Sequence, residues 1–301
     1  MRQTFNEANK DLIVSINGQL VHRDEAGVSP FDSTVQNGDG VWEGLRLYNG
    51  RIFRLDAHID RLFKSAELLR YEGVPGREHV VEQIRRTLEA NGMHDGVHIR
   101  LTLSRGVKYT SGLDPRINTQ GCGLFVLAEH KAPVYDKAGL RLITASVRRP
   151  FANVLNQHIH SCNQLTSILA KLEANEKSAD DALMLDTNDN LAETNATHVF
   201  VVKDGVVRTS TTDACPEGIT RLTVLEICER EGIPHEVRDI PHAELFEADE
   251  MFTTGTMGEL AGVVELDGKR IGSGEIGEMT RRLSELYSEM TRHAGEPIIA
   301  R

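Results

Sequence analysis

The sequence predicts a two-domain protein of mixed α+β and α/β character. Three observations carry that expectation. The 301 residues are enough for two domains. Up to about residue 130, two strand pairs and two helices read as a small α+β domain. The polar, proline-containing stretch from His130 to Lys137 then reads as a boundary. The expected division is a small domain over 1–130, a linker over 131–137 and a large domain over 138–301.

Taken in order, Leu12 to Val21 forms a hairpin about Asn17-Gly18. Phe31 to Gly40 is a loop. Val41 to Tyr48 is a strand that turns at Asn49-Gly50 into Arg51-Ile52-Phe53. A helix begins at about Asp56, with Ile59, Leu62, Phe63 and Ala66 on its core face. A second helix runs from about Glu78 to Ala90, with Gly92 past its end. Val97 to Ser104 and Gly123 to Ala128 are strands.

The second half opens on a strand at Leu140 to Thr144. From Ser161, a plausible N-cap, Leu165, Ile168, Leu169 and Leu172 fall at helical spacing, which predicts a helix packing that face on a core. Cys162 reads as a small helix residue. Ala182 to Leu185 is a short buried strand, and Glu193 lies on the loop after it. Val199 to Val202 and Val206-Val207 flank Lys203-Asp204-Gly205 as a hairpin. Gly218 to Arg221 opens a helix running to about Arg230. Glu250 to Thr254 is a strand, Gly262 to Ile271 a hairpin about Asp267-Gly268, and Gly277 to His293 a last helix. There are no repeats.

Composition narrows the partners. A net charge of −11 makes nucleic acid and anionic membranes unfavourable ones. No apolar run approaches membrane-spanning length, and the opening MRQTFNEANKDLIV lacks the apolar core of a signal peptide. The four cysteines show no CxxC spacing, which reads as free thiols in a reduced, cytoplasmic setting.

Several segments carry chemistry-bearing residues in a recognisable order. They are Gly38-Asp39-Gly40-Val41-Trp42-Glu43-Gly44, then Phe53-Arg54-Leu55-Asp56-Ala57-His58-Ile59-Asp60-Arg61-Leu62. After them come Ile168-Leu169-Ala170-Lys171-Leu172-Glu173-Ala174, Glu193, Val199-Phe200, Lys203-Asp204-Gly205, Gly218-Ile219-Thr220-Arg221 and Thr254-Gly255-Thr256. Together they span nearly the whole chain and resemble the class IV aminotransferases, the fold-type IV pyridoxal-phosphate enzymes. Branched-chain and D-amino acid aminotransferases and aminodeoxychorismate lyases belong to that family. The resemblance implies the two-domain fold of the D-amino acid aminotransferases, a homodimer, pyridoxal 5'-phosphate as cofactor, and an amino acid, keto acid or amine as substrate.

It also implies roles. Arg61 is the cation for the cofactor phosphate. Ile219 and Thr220 offer N–H donors at a helix start, and Thr256 adds a hydroxyl and an N–H. Glu193 holds the pyridine nitrogen protonated, which makes the ring an electron sink. Trp42, Arg100 and Asn37 align with positions lining the family's substrate pocket, and Arg105 and Lys108 are further candidates for a substrate carboxylate. His198 stands where the family has asparagine. No metal is implied.

At the place of the family's Schiff-base lysine, just before the helix, this chain has His160. Imidazole forms no stable aldimine, but it serves as general acid or base near neutrality. Lys171 lies eleven residues further on, about three helical turns away, where the family itself has a structural lysine. The expectation is therefore a cofactor held without a covalent link and His160 as the catalytic group, most simply in branched-chain-like transamination. Two other readings stay open. One is an enzyme on this scaffold that makes no use of pyridoxal phosphate and employs His160 as acid or base; the other is a non-catalytic ligand-binding homologue.

Overall fold

A computed structural model of the chain describes residues 4–133, 135, 138–151 and 153–299. Val134, Asp136 and Lys137 of the expected linker lie outside the described residues. The chain divides into two compact units. An N-terminal unit comprises Thr4–Ala132, Ile159–Asn163 and the stretch from Thr291, and a C-terminal unit comprises Pro133–His158 and Gln164–Met290. The units are thus discontinuous in sequence. The five residues around His160 group with the N-terminal unit, although a linear division puts them in 138–301.

In the N-terminal unit the elements are β1 (Ile13–Ile16), β2 (Gln19–His22), α1 (Ser33–Asn37), β3 (Gly40–Tyr48), β4 (Arg51–Ile52), α2 (Leu55–Leu68), α3 (Arg77–Ala90), β5 (Val97–Ser104) and β6 (Gly123–His130). The C-terminal unit follows with β7 (Leu140–Thr144), α4 (Leu165–Glu176), β8 (Asp181–Leu185), β9 (Leu191–Thr194), β10 (His198–Lys203), β11 (Val206–Thr209) and α5 (Ile219–Arg230). It continues with β12 (His235–Val237), β13 (Glu250–Gly255), β14 (Glu259–Leu266), β15 (Lys269–Arg270) and α6 (Glu278–His293). The last strand, β16 (Glu296–Pro297), pairs with β4.

The N-terminal sheet has the order β16-β4-β3-β5-β6-β1-β2. Its long central pairs are antiparallel, with Gly44 opposite Arg100 and Arg100 opposite Leu127. Strand alternation puts Val41, Leu45 and Leu47 with Ile99 and Leu101 in a core that also holds Ile59 and Leu62 of α2 and Ile84 and Leu88 of α3. Glu43 shares the parity of these apolar residues and is fully buried. The hairpin at Asn17-Gly18 has φ of 51° and 81°, the paired positive values of a type I′ turn.

The C-terminal sheet has the order β12-β11-β10-β13-β14-β7-β8-β9, with β15 added to β14. Its core includes Leu183, Val199, Val201, Met251 and Val263. A smaller cluster sets Ala170 and Ala174 of α4 against Ala182 and Met184 of β8.

Four sequence expectations change here. The residues 31–40 contain a short helix, α1, capped by the Asp32 carboxylate on the Thr34 N–H at 2.8 Å. The helix expected from Ser161 starts at Leu165, and Ser161 instead forms a bridge with Val41 at the edge of β3. The stripe expected to face the core is exposed: Leu165 by 60%, Ile168 by 54%, Leu169 by 43% and Leu172 by 51%. The face that packs is the small one, because alanines let the helix backbone approach β8 closely. Glu193 lies within strand β9, opposite Met184, and not on a loop.

Since Ala170 is fully buried in that close contact, Ala170→Leu is expected to lose about 1–3 kcal/mol by overpacking. Urea unfolding of the purified variant measures this.

Candidate active site

Residues Ile159–Asn163 extend the N-terminal sheet. The Trp42 N–H donates to the His160 carbonyl at 3.0 Å, and the Cys162 N–H donates to the Gly40 carbonyl at 2.8 Å. The His160 N–H donates to Ser65 Oγ of α2 at 3.1 Å, and Trp42 Nε1 donates to the Ser161 carbonyl at 3.1 Å. The His160 ring stacks on the Trp42 ring with centroids 4.2 Å apart. Both backbone groups and one ring face of His160 are therefore held.

The imidazole edge meets a buried carboxylate. Glu43 Oε1 accepts from Arg61 Nε at 2.8 Å, and Oε2 accepts from Arg61 Nη2 at 2.7 Å. His58 Nδ1 lies 2.7 Å from Oε2, and His160 Nδ1 lies 3.3 Å from Oε1. Arg61 Nη2 is 3.4 Å from the same His160 nitrogen. His58 and Arg61 stand three residues apart on α2, so one helix face delivers both to Glu43. Burial pushes the Glu43 carboxyl up, but Arg61, His160 and His58 outweigh it and hold the group well below its ordinary value. Burial lowers the pKa of His58 against the opposing pull of Glu43. Burial, reinforced by the Arg61 charge, lowers that of His160 as well. Both shifts favour the neutral imidazole at pH 7.

Among the substrate candidates, Arg100 lays its guanidinium 3.4 Å from the Trp42 ring centroid, on the sheet face opposite Glu43. It also donates to Thr102 Oγ1 at 3.4 Å. Trp42 is thus packed by Arg100 and by His160. Asn37, at the end of α1, accepts from Lys108 Nζ, which also donates to the Gly112 carbonyl at 2.6 Å. Arg105 pairs with Asp39 at 2.5 Å, donates to the Leu69 carbonyl at 2.9 Å and lies over the Tyr71 ring. Arg105 and Lys108, both candidates for a substrate carboxylate, are engaged in tying loops together.

The C-terminal unit gathers a second group. Glu193 is buried and ion-paired with Arg149 at 2.8 Å, and Arg149 also donates to Ser167 Oγ of α4 at 2.9 Å. Arg149 was not legible as a site residue: it lies 44 positions before Glu193 and carries no local motif. α5 opens at Gly218, which has no side chain to cap the first-turn N–H groups of Ile219 and Thr220. His198 sits against Gly218, where an added Cβ would come within 2.2 Å of its ring, and its Nδ1 is 3.8 Å from Cys215 Sγ. Thr256 lies in the turn between β13 and β14. Lys171 donates to Asp181 Oδ1 at 2.8 Å and to the Asp180 carbonyl, fastening α4 to β8. That is a structural role.

Residues 40–266 match the model of the amino-transferase class IV family. The chain belongs to that family. It is 50% identical over 291 residues to a branched-chain-amino-acid aminotransferase-like protein 1 of Arabidopsis thaliana, an alignment covering 96% of this chain and 52% of that protein. The chain therefore spans about half the length of the first relatives it matches. A putative branched-chain-amino-acid aminotransferase of Methanocaldococcus jannaschii is 38% identical over 92% of this chain and 96% of its own length. Among solved structures, a T.th. branched-chain amino acid aminotransferase complexed with N-(5'-phosphopyridoxyl)-L-glutamate superposes with a TM-score of 0.87 at 34% identity, covering 94% of this chain and 95% of that one. The fold is thus the fold-type IV arrangement that the sequence predicted. Among the described residues, no helix is long and apolar enough to cross a membrane, and no cluster of His, Cys, Asp and Glu could hold a metal.

The buried cluster fixes the sign of the acid response. His58 and His160 have folded pKa values below the ordinary 6.5, so the unfolded chain takes up their protons first as pH falls. Stability is expected to hold above pH 6.5 and to decline below it by about 1.4 kcal/mol per pH unit for each histidine. Glu43, with its folded value below 4.5, adds to the decline from 4.5 downward. Urea midpoints at a series of pH values measure the slope, and a flat profile from pH 7 to 5 would contradict neutral, buried imidazoles.

Proposed function

We propose that this chain is a cytoplasmic pyridoxal-phosphate enzyme that carries out transamination of an amino acid or amine, with branched-chain-like substrates the simplest case. His160 acts as its proton-transferring group and the cofactor is held without a covalent link. Membership of the class IV aminotransferases supports the cofactor and the reaction type. The observation that carries the role of His160 is its setting: ring, backbone and Nδ1 are each held by a specific partner.

The residues present fit the cofactor. The uncapped start of α5 suits an anion, and the buried carboxylate of Glu193, paired by Arg149, suits a protonated ring nitrogen. We assign the phosphate to Arg61, Ile219, Thr220 and Thr256, and the pyridine nitrogen to Glu193. When bound, the cofactor supplies an electron sink for the substrate carbanion. Arg149 keeps a positive charge at Glu193 Oε1 and so favours the ionised acceptor that a protonated ring nitrogen needs. We assign Trp42, Arg100 and Asn37 to the substrate, with Arg100 a bidentate partner for a carboxylate. His160 takes a proton from the substrate carbon and returns one in the reverse direction.

One observation favours a second reading. Arg61 already gives Nε and Nη2 to Glu43, so the phosphate cation is partly engaged. An enzyme on this scaffold that uses His160 without pyridoxal phosphate would need no more from Arg61 than this.

Titration with pyridoxal phosphate, followed by visible absorbance and dialysis, separates the two. Saturable binding that dialysis reverses is expected. Its absence at millimolar cofactor selects the second reading. His160→Lys is then expected to give a borohydride-fixed covalent link at residue 160 and faster transamination of a branched-chain or D-amino acid. His160→Ala is expected to abolish the native activity, and an unchanged rate would reject His160 as the acid–base group.

We also propose a homodimer. The exposed leucine and isoleucine stripe of α4 supports it, because four large apolar side chains on one helix face form a patch that a monomer seldom leaves in water. Sedimentation at micromolar concentration should give twice the 33.4 kDa chain mass. Leu169→Asp should shift it toward monomer.

A further inference from the structure

We propose that Glu43 is a positioning residue that locks His160 in its Nδ1–H tautomer and so presents the bare Nε2 as the base. The inference rests on the reading of His160 as the acid–base group and specifies how that group is prepared.

The argument is a count of donors and acceptors. An ionised carboxylate has two oxygens and about four lone-pair sites, and it donates nothing. Glu43 is fully buried, so each site left empty would carry a desolvation penalty. Four ring or guanidinium nitrogens surround it. Arg61 Nε and His160 Nδ1 face Oε1 at 2.8 and 3.3 Å, and Arg61 Nη2 and His58 Nδ1 face Oε2 at 2.7 Å each. The two arginine nitrogens are donors in every protonation state of interest. The remaining two sites are filled only when both histidines carry their proton on Nδ1.

The competing arrangement has Arg61 Nη2 donating across 3.4 Å to a bare His160 Nδ1. It would turn an imidazole lone pair toward a carboxylate oxygen 3.3 Å away, inside a buried cluster. That repulsion decides against it. Arg61 contributes in another way, since its bidentate charge keeps Glu43 ionised and therefore a pure acceptor.

The consequence lies at the other ring nitrogen. The ring is held by Glu43 at Nδ1 and by the Trp42 backbone, and 14% of the side chain remains exposed on the side from which Nε2 is reached. Stacking on Trp42 fixes the ring plane, the two backbone hydrogen bonds fix its attachment, and the Nδ1 contact with Glu43 selects which edge faces the carboxylate. In the step this serves, Nε2 takes a proton from the substrate carbon while the bonding electron pair stays with the substrate. The ring becomes imidazolium with its Nδ1–H still on Glu43. The reverse step returns the proton to a carbon and leaves the ring neutral again.

The test is long-range proton–nitrogen correlation NMR of histidine-¹⁵N-labelled full-length protein at pH 7.5, with the His160 signals assigned by their loss in His160→Gln. The coupling pattern of a neutral Nδ1–H tautomer is expected for His160. An Nε2–H tautomer or an imidazolium overturns the proposal. Glu43→Gln replaces one acceptor oxygen by an NH₂ donor. It is expected to move at least half of the His160 population out of the Nδ1–H form and to lower transamination at least tenfold in kcat with a shifted pH profile. Glu43→Asp, which keeps the charge, should restore most of the Nδ1–H population. If Glu43→Gln does not fold, the wild-type spectrum alone decides between the tautomers. Failure of the two readings is distinguishable. A wild-type Nδ1–H tautomer with no loss of activity in His160→Ala rejects the catalytic reading and leaves the tautomer assignment standing. The wrong tautomer with an active cofactor complex rejects only the role of Glu43.

Discussion

The N-terminal unit is built around a carboxylate that has no water to turn to. Burying an ionised glutamate carries a penalty of several kcal/mol unless its neighbours replace the lost hydration. Glu43 sits on the helix-facing side of β3 between Val41 and Leu45, where every other requirement is apolar. Its donors must therefore come from the element packed on that face. α2 supplies them, because His58 and Arg61 interleave with the core residues Leu55, Ile59 and Leu62 along the same stripe. Shifting α2 by one residue would turn that stripe by about 100° and take both donors away from Glu43. The left-handed Arg54 at φ 56°, which starts the helix abruptly after β4, fixes that register.

The return of Ile159–Asn163 to the edge of β3 follows from the same requirement. Along β3, β4 pairs only with Leu47 and Tyr48, so the edge of β3 over Gly40 to Trp42 would otherwise present open backbone groups. The short segment closes it through the Trp42 N–H and the Gly40 carbonyl. In the same act it brings His160 Nδ1 to Glu43 Oε1. A backbone requirement and a side-chain requirement are thus met by one five-residue stretch. This is why the residue bearing the candidate chemistry belongs to the unit that lies far from it in sequence.

How much of this was legible depends on whether a feature is local. Hairpins with Asn-Gly or Asp-Gly turns read correctly, because turn chemistry is decided by two residues. The helical period also found α2, α3 and α4. It named the wrong face of α4, since periodicity identifies two unlike faces and says nothing of which one packs. The usual inference gives the core to the larger side chains, and here a close helix-to-sheet contact takes Ala170 and Ala174 instead. Among the candidate site residues, Arg61 and His160 were named from motif order. Glu43 and His58 stood inside the same quoted motifs without an assigned role. Their signal was there, as a charged and a titratable residue on faces otherwise apolar. Arg149 offered no such signal, because its partner is reached only through the sheet.

Histidine and lysine place different demands on the protein around them. A lysine amine swings on four rotatable carbons and carries its own reach, so a site built for it constrains the stem and leaves the end free. An imidazole has a fixed ring, two distinct nitrogens and only two torsions. It delivers a proton along one direction, set by where the ring is held. Two of the contacts around His160 suit a ring: an aromatic face for stacking in Trp42 and an acceptor for one nitrogen in Glu43. The charge balance points the same way. Glu43 and Arg61 neutralise each other, which leaves His58 and His160 neutral within the cluster, and a neutral imidazole is the form that accepts a proton at pH 7.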